Sequence, residues 1–362
     1  MRLALDAMGG DCAPAAVVEG AVLHARKTPG DTVVLVGDEP RIEAELVRLK
    51  AAADPAKRRA VRPLAIEVRH APQTVGMDEH PATTVRRKRG SSIRVAFDLV
   101  ARGEADAVVS AGNSGAALAA ALFVLGRLPA VDRPAVVTLL PTLAGRYAVL
   151  LDSGATVACR PAHLVQFAHL GEAYARRVLG VARPRVALLS NGTEKSKGTD
   201  LTRSALEALE RSSLNFLGYV EGNDLFADQV DVIVTDGFTG NVVLKATEGA
   251  AAALSATLKR EIESRSTAKL GAWLSRPAFA AFRKIADWAE VGGAQLVGVD
   301  GTALLAHGRS NARAIRNALR AASRAAELQL SAELTEAALK AQALSRSARP
   351  TVARESRTEQ AP

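Results

Sequence analysis

The residues best suited to chemistry lie in four short turns, and each turn follows an apolar or β-branched run. The turns start after Asp6, Ala111, Ser190 and Asp236, and they read AMGGD, GNSG, NGTEKSKG and GFTGN. Glycine lets a backbone approach a ligand closely, and a helix that begins after such a turn presents free N–H groups and the positive end of its dipole. These features suit a phosphate or an oxyanion.

The side chains of these turns indicate electrostatic chemistry. Lys195 and Lys197 lie between glycines and could meet a phosphate or polarise a carbonyl, although the spacing of a P-loop is absent. Asn113, Asn191 and Asn241 add amide donors. The sequence contains no G-x-S-x-G motif and no metal-ligand spacing of histidine or cysteine. We therefore expect acyl or phosphoryl transfer on a bound anion, without a metal, a cofactor or a covalent intermediate.

Two single residues allow alternative interpretations. Cys12 could be a nucleophile after Gly-Gly-Asp, but nothing in the sequence indicates a depressed thiol pKa, so an unreactive cysteine is favoured. His307, in AHGRS, is the histidine most suited to a site, although a structural role is the more common use of a lone histidine.

Composition limits the class of protein. The chain has 362 residues, 48% of them hydrophobic, which is enough for a large core. Residues 107–126 are uncharged, but SAGNSG interrupts them and predicts a buried strand and helix, not a membrane span. Two cysteines without a disulfide pattern suit the cytoplasm. The net charge of +9 favours an acidic partner, whereas 4% aromatic residues and no recognised motif argue against nucleic acid.

Strands that alternate with helices must position the four turns. This order predicts an α/β fold with a mostly parallel sheet covered on both faces. Ligands of such sheets bind beyond the carboxyl ends of the strands, so we expect the four turns to converge. In the last of them we predict a tight turn over residues 236–240 and a helix over residues 242–264.

Two further segments could contact partners. Arg86, Arg87, Lys88 and Arg89 could hold phosphate or receive an acidic partner, or they could be an ordinary solvated helix face. Residues 242–290 predict a helical hairpin that Pro277 interrupts. Its apolar side chains, framed by cations, suit a membrane surface or a second subunit, with intramolecular core as the third possibility. Residues 345–362 predict a disordered tail.

Eight blocks of the chain resemble, in order, the bacterial phosphate acyltransferase family usually called PlsX. They are LDAMGGDCAP, VRRKRGSS, SAGNSGAAL, LLSNGTEKSKG, VEGNDLF, DVIVTDGFTGNVVLK, VGGAQLVG and AHGRS, within residues 1–330. The resemblance implies that acyl-(acyl carrier protein) and inorganic phosphate are converted into acyl phosphate for phospholipid synthesis. It also implies a homodimer bound peripherally to the membrane, with the glycerol-3-phosphate acyltransferase that consumes acyl phosphate as a further expected partner.

The same resemblance implies a fold and a set of site residues. The fold is a three-layer α/β/α sandwich over residues 1–344, in one body or two lobes around a cleft, related to phosphotransacetylases and to isocitrate and isopropylmalate dehydrogenases. Lys197 and Asn241 would be catalytic, Arg86 to Arg89 would contact the carrier protein, and a hairpin would contact the membrane through Trp273, Leu274 and Phe279. The expected substrate- and phosphate-binding residues are Asp6, Gly9, Gly10, Asn113, Ser114, Gly115, Asp236, Gly237, Thr239, Gly240 and His307.

Several positions depart from the family pattern. They include Thr156 and Ala158 in DSGATVA, Asn223 in VEGND and Thr199 in KGT. Two alternatives therefore stay open within this resemblance: a phosphotransacylase that uses acyl-CoA, and a membrane-associated scaffold with weakened catalysis. An NAD-linked decarboxylating dehydrogenase of the related fold would need a cluster of metal-binding aspartates, which the sequence does not show.

Overall fold

A computed structural model describes residues 1–52, 64–279 and 292–347, and within them eleven strands form one sheet. In chain order the strands are β1 (Arg2–Asp6), β2 (Thr32–Gly37), β3 (Ile66–His70), β4 (Ala107–Ser110), β5 (Ala135–Pro141), β6 (Tyr147–Leu151), β7 (Arg185–Leu189), β8 (Asn215–Val220), β9 (Val232–Val234), β10 (Ala294–Val297) and β11 (Thr302–Leu305). Across the sheet they follow the order β3-β2-β1-β4-β11-β10-β5-β6-β9-β7-β8.

Helices lie on both faces of the sheet, as the alternation of strands and helices predicts. They are α1 (Ala15–Lys27), α2 (Glu39–Ala52), α3 (Pro81–Arg87), α4 (Ser92–Ala101), α5 (Ser114–Ala120), α6 (Pro161–Val178), α7 (Asp200–Leu209), α8 (Gly237–Ser264), α9 (Ser266–Leu274), α10 (Ala312–Leu328) and α11 (Ser331–Ser347). A π-helical turn, Ala121–Leu125, continues α5, and a 3₁₀ turn, Gly222–Phe226, follows β8. The α/β fold class is confirmed.

The sheet consists of two parallel blocks that run in opposite directions. The first block is β1, β2, β3, β4 and β11, and the second is β6, β7, β8 and β9. Between them, β10 and β5 are antiparallel to each of their neighbours. Leu304 of β11 and Val137 of β5 are level with each other, because both pair with the same residue of β10. Thr138, the residue after Val137, pairs with Leu150 of β6. The carboxyl ends of the two blocks therefore lie at one level of the sheet.

This reversal changes the expected position of the turns. A parallel sheet would put all four turns at one edge, but the turns after β1 and β4 leave the first block in one direction. The turns after β7 and β9 leave the second block in the other. The two antiparallel strands reverse the chain direction between the blocks, so the four turns leave one common level of the sheet in opposite directions, and their convergence on one ligand stays a prediction.

Each block buries apolar side chains on both faces. In the first, Leu5 and Val109 pack with α1 and α10, whereas Ala4 and Val108 pack with α4 and α5. In the second, one face packs with α6, α7 and α11. The other face carries a smaller cluster that includes the 3₁₀ turn and Val243 of α8. Fewer helices therefore cover this face of the second block, and the beginning of α8 lies on it, close to the junction of the blocks.

Two helix boundaries differ from the sequence prediction. The turn predicted over residues 236–240 is wrong: the Asp236 carboxylate accepts the N–H groups of Phe238 (3.0 Å) and Thr239 (2.9 Å), so α8 begins at Gly237. Helix α11 continues to Ser347, and the rest of the predicted tail lies outside the described residues. Among the described helices, none is long and apolar enough to span a bilayer.

Candidate functional site

The turns after β1, β4 and β11 pack against one another in the first block. A Cβ on Gly9 would lie 2.7 Å from the backbone nitrogen of Gly112 and 2.7 Å from Oδ2 of Asp6. Gly10 has a φ of +104°, and its Cβ would lie 3.0 Å from the carbonyl oxygen of Gly308. Glycine is therefore needed at both positions for three backbones to approach this closely.

Asp6 lies buried beneath these turns. It accepts the Ser110 hydroxyl (2.8 Å) and the Met8 N–H (3.3 Å), and the Ser92 hydroxyl adds a third bond. Burial raises the pKa of Asp6, and these hydrogen bonds oppose that shift. A buried carboxylate that is already bonded to hydroxyls suits positioning of the turns better than direct contact with a phosphate.

The start of α5 is closed by its own side chains. Asn113 caps the helix by accepting the Ala116 N–H (3.0 Å), and its amide nitrogen donates to the carbonyl of Met77 (2.9 Å). A Cβ on Gly115 would lie 2.8 Å from Cγ of Pro81, whereas Ser114 is exposed. The segment that precedes the basic run therefore covers this helix N-terminus.

The start of α8 is held differently in the second block. Its Gly237 N–H donates to the carbonyl of Thr156 (2.9 Å), and a Cβ on Gly240 would overlap the carbonyl oxygen of Asp152. The Asp152 carboxylate is buried and accepts backbone N–H groups, including that of Val136 (2.9 Å). Burial raises the pKa of Asp152, and the N–H groups oppose this. Together these contacts fix the first turn of α8 on the strand end.

Asn241 stands on this first turn with its side chain exposed. A Cβ on Gly154 would lie 3.7 Å from Oδ1 of Asn241. The Asn241 amide therefore lies beside the backbone of Gly154, a position without a side chain. Thr239 turns inward, and its hydroxyl donates to Asp236 (2.7 Å). Among the residues predicted to bind substrate at this helix start, Asn241 therefore has the side chain that a ligand can reach.

Lys197 lies in the turn after β7. Oδ1 of Asn191 accepts the Gly198 N–H (2.9 Å), and Thr199 caps α7 by accepting the Thr202 N–H (3.3 Å). The Lys197 side chain is exposed and runs along Gly192, where a Cβ would lie 2.7 Å from its Cγ. By contrast, Lys195 pairs with Glu210 at 2.5 Å. The ion pair holds Lys195 to the end of α7, whereas the Lys197 side chain lies along the turn itself.

The two blocks meet at Lys245, a residue that the sequence prediction missed. Nε2 of His307, in the turn after β11, lies 3.1 Å from Nζ of Lys245 on α8. Burial and the charge of Lys245 lower the pKa of His307. The available signal was the spacing: Lys245 is four residues after Asn241, so both lie on one helix face. The predicted residues of the first block are thereby linked to α8 of the second.

The groups that could serve metal or thiol chemistry can be located in the part of the chain that the structure describes. There, no group of three or more histidine, cysteine, aspartate or glutamate residues could hold a metal ion. Cys12 is exposed, and burial raises the pKa of the half-buried Cys159 to about 11, which disfavours its thiolate.

Comparisons with known proteins identify the family. The chain matches the family model described as "Fatty acid synthesis protein" over residues 1–333. A curated phosphate acyltransferase of Myxococcus xanthus (strain DK1622) is 55% identical over 338 residues, which are 92% of this chain and 93% of that protein. One from Anaeromyxobacter sp. (strain Fw109-5) is 52% identical, covering 96% and 95%. The chain belongs to the phosphate acyltransferase family. The resemblance drawn from the eight sequence blocks is confirmed.

Solved structures share the fold of this family member at low sequence identity. A phosphotransacetylase from Streptococcus pyogenes superimposes with a TM-score of 0.57 at 16% identity, covering 90% of this chain and 94% of that one. The EutD phosphotransacetylase from Staphylococcus aureus gives a TM-score of 0.50 at 16% identity, covering 94% of each chain. At these identities the likeness concerns the fold alone.

Three of the four consecutive cations lie at the surface of this family member. The Arg86 guanidinium stacks over the ring of Phe123, 4.5 Å from its centroid, and Arg87 and Arg89 are exposed. Lys88 instead turns inward, where Nζ donates to the carbonyl of Thr74 (2.9 Å) and to the carboxylate of Glu79 (2.7 Å). A partner could meet the three arginines, whereas Lys88 holds the segment together.

The predicted membrane-contact residues lie on α9 and shortly after it. Trp273 and Leu274 are 62% and 66% exposed, and Phe279 is half-buried. Leu254, Leu258 and Leu270 are exposed as well. The last part of the predicted hairpin, residues 280–290, lies outside the described residues.

Two of the positions that depart from the family pattern make local hydrogen bonds in this chain. The Thr156 hydroxyl donates to the carbonyl of Pro134 (3.1 Å), and the Thr156 carbonyl accepts the first N–H of α8. Thr199 is the cap of α7 described above. Asn223 is exposed in its 3₁₀ turn, and Ala158 is exposed before α6. Thr156 and Thr199 therefore support the two turns that carry the predicted catalytic residues.

Proposed function

We propose that this protein transfers an acyl group from acyl carrier protein to inorganic phosphate, producing acyl phosphate for phospholipid synthesis. The observation that carries the proposal is 55% identity, over 92% of the chain, to a curated phosphate acyltransferase. The site geometry supports it, because Asn241 is exposed on a fixed helix start and the Lys245 ammonium lies where α8 meets the turn after β11.

Lys197 and Asn241 have separate roles in this proposal. A phosphate oxygen attacks the thioester carbonyl, a C–O bond forms, and the carbonyl electron pair moves onto oxygen. The side-chain amide of Asn241 donates to this oxyanion, while the Lys197 ammonium offsets the charge of the phosphate. When the carbonyl reforms, the C–S bond breaks and the carrier leaves as a thiolate. Thiolates leave readily, so the step needs no strong general acid.

The exposed arginines of the basic run would meet the acidic carrier protein. Arg86, Arg87 and Arg89 follow a segment that already touches the site, because Met77 accepts a hydrogen bond from Asn113. Ser92, three residues after this run, bonds to Asp6. A carrier bound at the arginines would thus lie next to the turns of the first block, within reach of a flexible prosthetic arm.

The long helix α8 would serve a second subunit and the membrane. Of its 28 residues, Gly237 and Gly240 in the first turn are the buried ones. The rest of the helix therefore gains little from packing within the described chain, and a homodimer partner would cover it. The exposed Trp273 and Leu274 would then rest on the cytoplasmic face of the membrane, where a glycerol-3-phosphate acyltransferase could consume the product.

The test is acyl phosphate formation by the purified protein from palmitoyl-(acyl carrier protein) and phosphate, with palmitoyl-CoA in a parallel reaction. We expect phosphate-dependent turnover with the carrier substrate and its loss in Lys197→Ala and Asn241→Ala. Turnover with the CoA thioester alone would instead assign the protein to the phosphotransacylases. No turnover with either substrate, in a folded protein, would favour the scaffold.

A further inference from the structure

The backbone around Lys197 is held at three polar groups. The Lys197 N–H donates to the carbonyl of Glu194 (2.9 Å), and the Gly198 N–H donates to Oδ1 of Asn191 (2.9 Å). Nη1 of Arg203 donates to the carbonyl of Gly198 at 2.6 Å. The first two partners belong to the turn itself, whereas Arg203 lies on α7. Arg203 therefore ties the residue after Lys197 to the helix.

Gly198 also packs closely against its surroundings. Its φ is +81°, and a Cβ there would overlap Oγ1 of Thr202 and lie 3.1 Å from the hydroxyl oxygen of Tyr219. Helix α7 and strand β8 thus meet the glycine on the side where a side chain would project. With both of its peptide groups bonded as well, Gly198 has little room to shift. The side chain of Lys197 therefore starts from a fixed point.

The stability of α7 does not explain the position of Arg203. It is the fourth residue of the helix, in the first turn, where the positive end of the helix dipole disfavours a cation. Thr199 already caps this helix start. Nη2 of Arg203 pairs with Asp200, whose side chain is 99% exposed, and such exposed pairs add little stability. One planar guanidinium thus meets two acceptors at once, and Asp200 orients it toward the turn.

The Lys197 side chain itself has less support than its backbone. It is exposed, and its stem runs along Gly192, where a Cβ would lie 2.7 Å from Cγ of Lys197. A long side chain loses conformational entropy when a ligand orders it. A backbone that is already fixed reduces the number of directions the ammonium can take, so the charge needs less rearrangement to meet an anion.

We infer that Arg203 is a positioning residue for the acyl transfer: by holding the Gly198 carbonyl, its guanidinium directs the Lys197 ammonium toward the phosphate. The inference rests on the proposed function, in which Lys197 offsets the phosphate charge. Arg203 acts through the turn and not through a contact with substrate. Lysine in its place could meet one acceptor but would lack the fork that reaches both.

The first experiment is a double-mutant cycle on acyl phosphate formation. It compares wild type, Arg203→Met, Lys197→Ala and the protein with both changes. We expect Arg203→Met to lower kcat/KM for phosphate roughly 10- to 100-fold, with KM for the acyl carrier substrate unchanged and partial recovery in Arg203→Lys. In the Lys197→Ala background, Arg203→Met should change the remaining kcat/KM by less than about twofold, because the residue it positions is gone.

Arg48→Met is the matched control. Arg48 also pairs with a carboxylate three residues earlier on its own helix (Glu45, 2.7 Å), as Arg203 does, but it lies on α2. Its kcat/KM for phosphate should stay within about twofold of wild type. The melting temperatures of all variants are measured alongside, and Arg203→Lys takes the place of Arg203→Met throughout if the latter does not fold.

The second experiment needs no acyl substrate. Lysines are acetylated with acetic anhydride, with and without inorganic phosphate, and the modified positions are measured by mass spectrometry. Phosphate at about 10 times its wild-type Kd should slow acetylation of Lys197 roughly 10-fold in wild type and at most about twofold in Arg203→Met. Lys195, which lies in the same turn but pairs with Glu210, is the internal control. Its acetylation should respond equally little to phosphate in both proteins.

Three results would overturn the inference. The first is an Arg203→Met protein with kcat/KM for phosphate within twofold of wild type. The second is an equal loss from Arg203→Met with and without Lys197, as expected of a structural role. The third is a wild-type protein in which phosphate does not protect Lys197. If wild type forms no acyl phosphate, yet phosphate protects Lys197 and Arg203→Met loses that protection, the proposed function fails and the positioning role stands.

Discussion

The two blocks of the sheet each place a buried carboxylate beneath a helix N-terminus, but they leave different groups accessible. In the first block, Asp6 bonds to hydroxyls, and Asn113 closes the start of α5 under Pro81. In the second, Asp152 accepts backbone N–H groups and holds the start of α8, where Asn241 is exposed. We therefore propose that the first helix start supports the fold of the site and that the second carries the chemistry.

The largest expected effect comes from filling the space where α8 meets Asp152. In Gly240→Ala the new Cβ overlaps a backbone oxygen, which cannot move away as a flexible side chain could. We expect the free energy of unfolding in urea to fall by at least about 3 kcal/mol. Gly249→Ala is the control on the same helix, because its Cβ would meet nothing within 4 Å. There we expect a gain of about 0.5–1 kcal/mol; equal losses in both would contradict the close approach.

The next effect concerns catalysis alone. Asn241→Ala removes an exposed amide, so the free energy of unfolding should stay within about 0.5 kcal/mol of wild type. If the amide stabilises the oxyanion, kcat should fall by roughly 10²–10³-fold with little change in either KM. A fall in stability that matches the fall in turnover would instead assign Asn241 to the structure of the helix start.

Acid should destabilise the second block through His169, on the α6 face that packs with α11. The imidazole is buried, its Nε2 has no hydrogen-bond partner within the described residues, and burial lowers its pKa to about 4. The unfolded chain, with a histidine pKa near 6.5, takes up a proton before the folded one does. The stability is therefore complete above about pH 6.5 and is lost as the pH falls toward 4, by about 3 kcal/mol in full.

Urea titrations at several pH values measure this loss, and His169→Leu serves as the comparison. The variant cannot take up this proton, so its free energy of unfolding should change less between pH 6.5 and 4. An unchanged pH slope in His169→Leu would mean that other groups, such as His163, whose pKa burial also lowers, account for the acid sensitivity.

Local features of this fold could be predicted from the sequence, and features that join distant segments could not. Strands such as Arg185–Leu189 and helix α6 follow from apolar runs, turn glycines and proline, which act within a few residues. The direction of the blocks depends on how β10 and β5 pair with strands far away in the chain, and no local pattern specifies that pairing.

The site shows the same division. The glycines and amides of the four turns were identified correctly as residues at strand ends. The early start of α8 was missed, because the Asp236 side chain replaces the backbone partners that a helix start lacks. The inward turn of Lys88 depends on Glu79, and the Lys245–His307 contact joins residues 62 positions apart. Neither contact leaves a spacing that the sequence alone reveals.

The smallest expected effect tests whether the first helix start is only a support. Asn113→Ala removes the cap of α5, and we expect the free energy of unfolding to fall by about 1 kcal/mol, with a smaller loss of kcat than in Asn241→Ala. Asn113→Ser separates the two bonds of this side chain, because serine can accept the Ala116 N–H but cannot reach the carbonyl of Met77. Recovery of stability in Asn113→Ser would assign the effect to the cap. A loss of kcat in both variants as large as that in Asn241→Ala would place chemistry at both helix starts and end the distinction between the blocks.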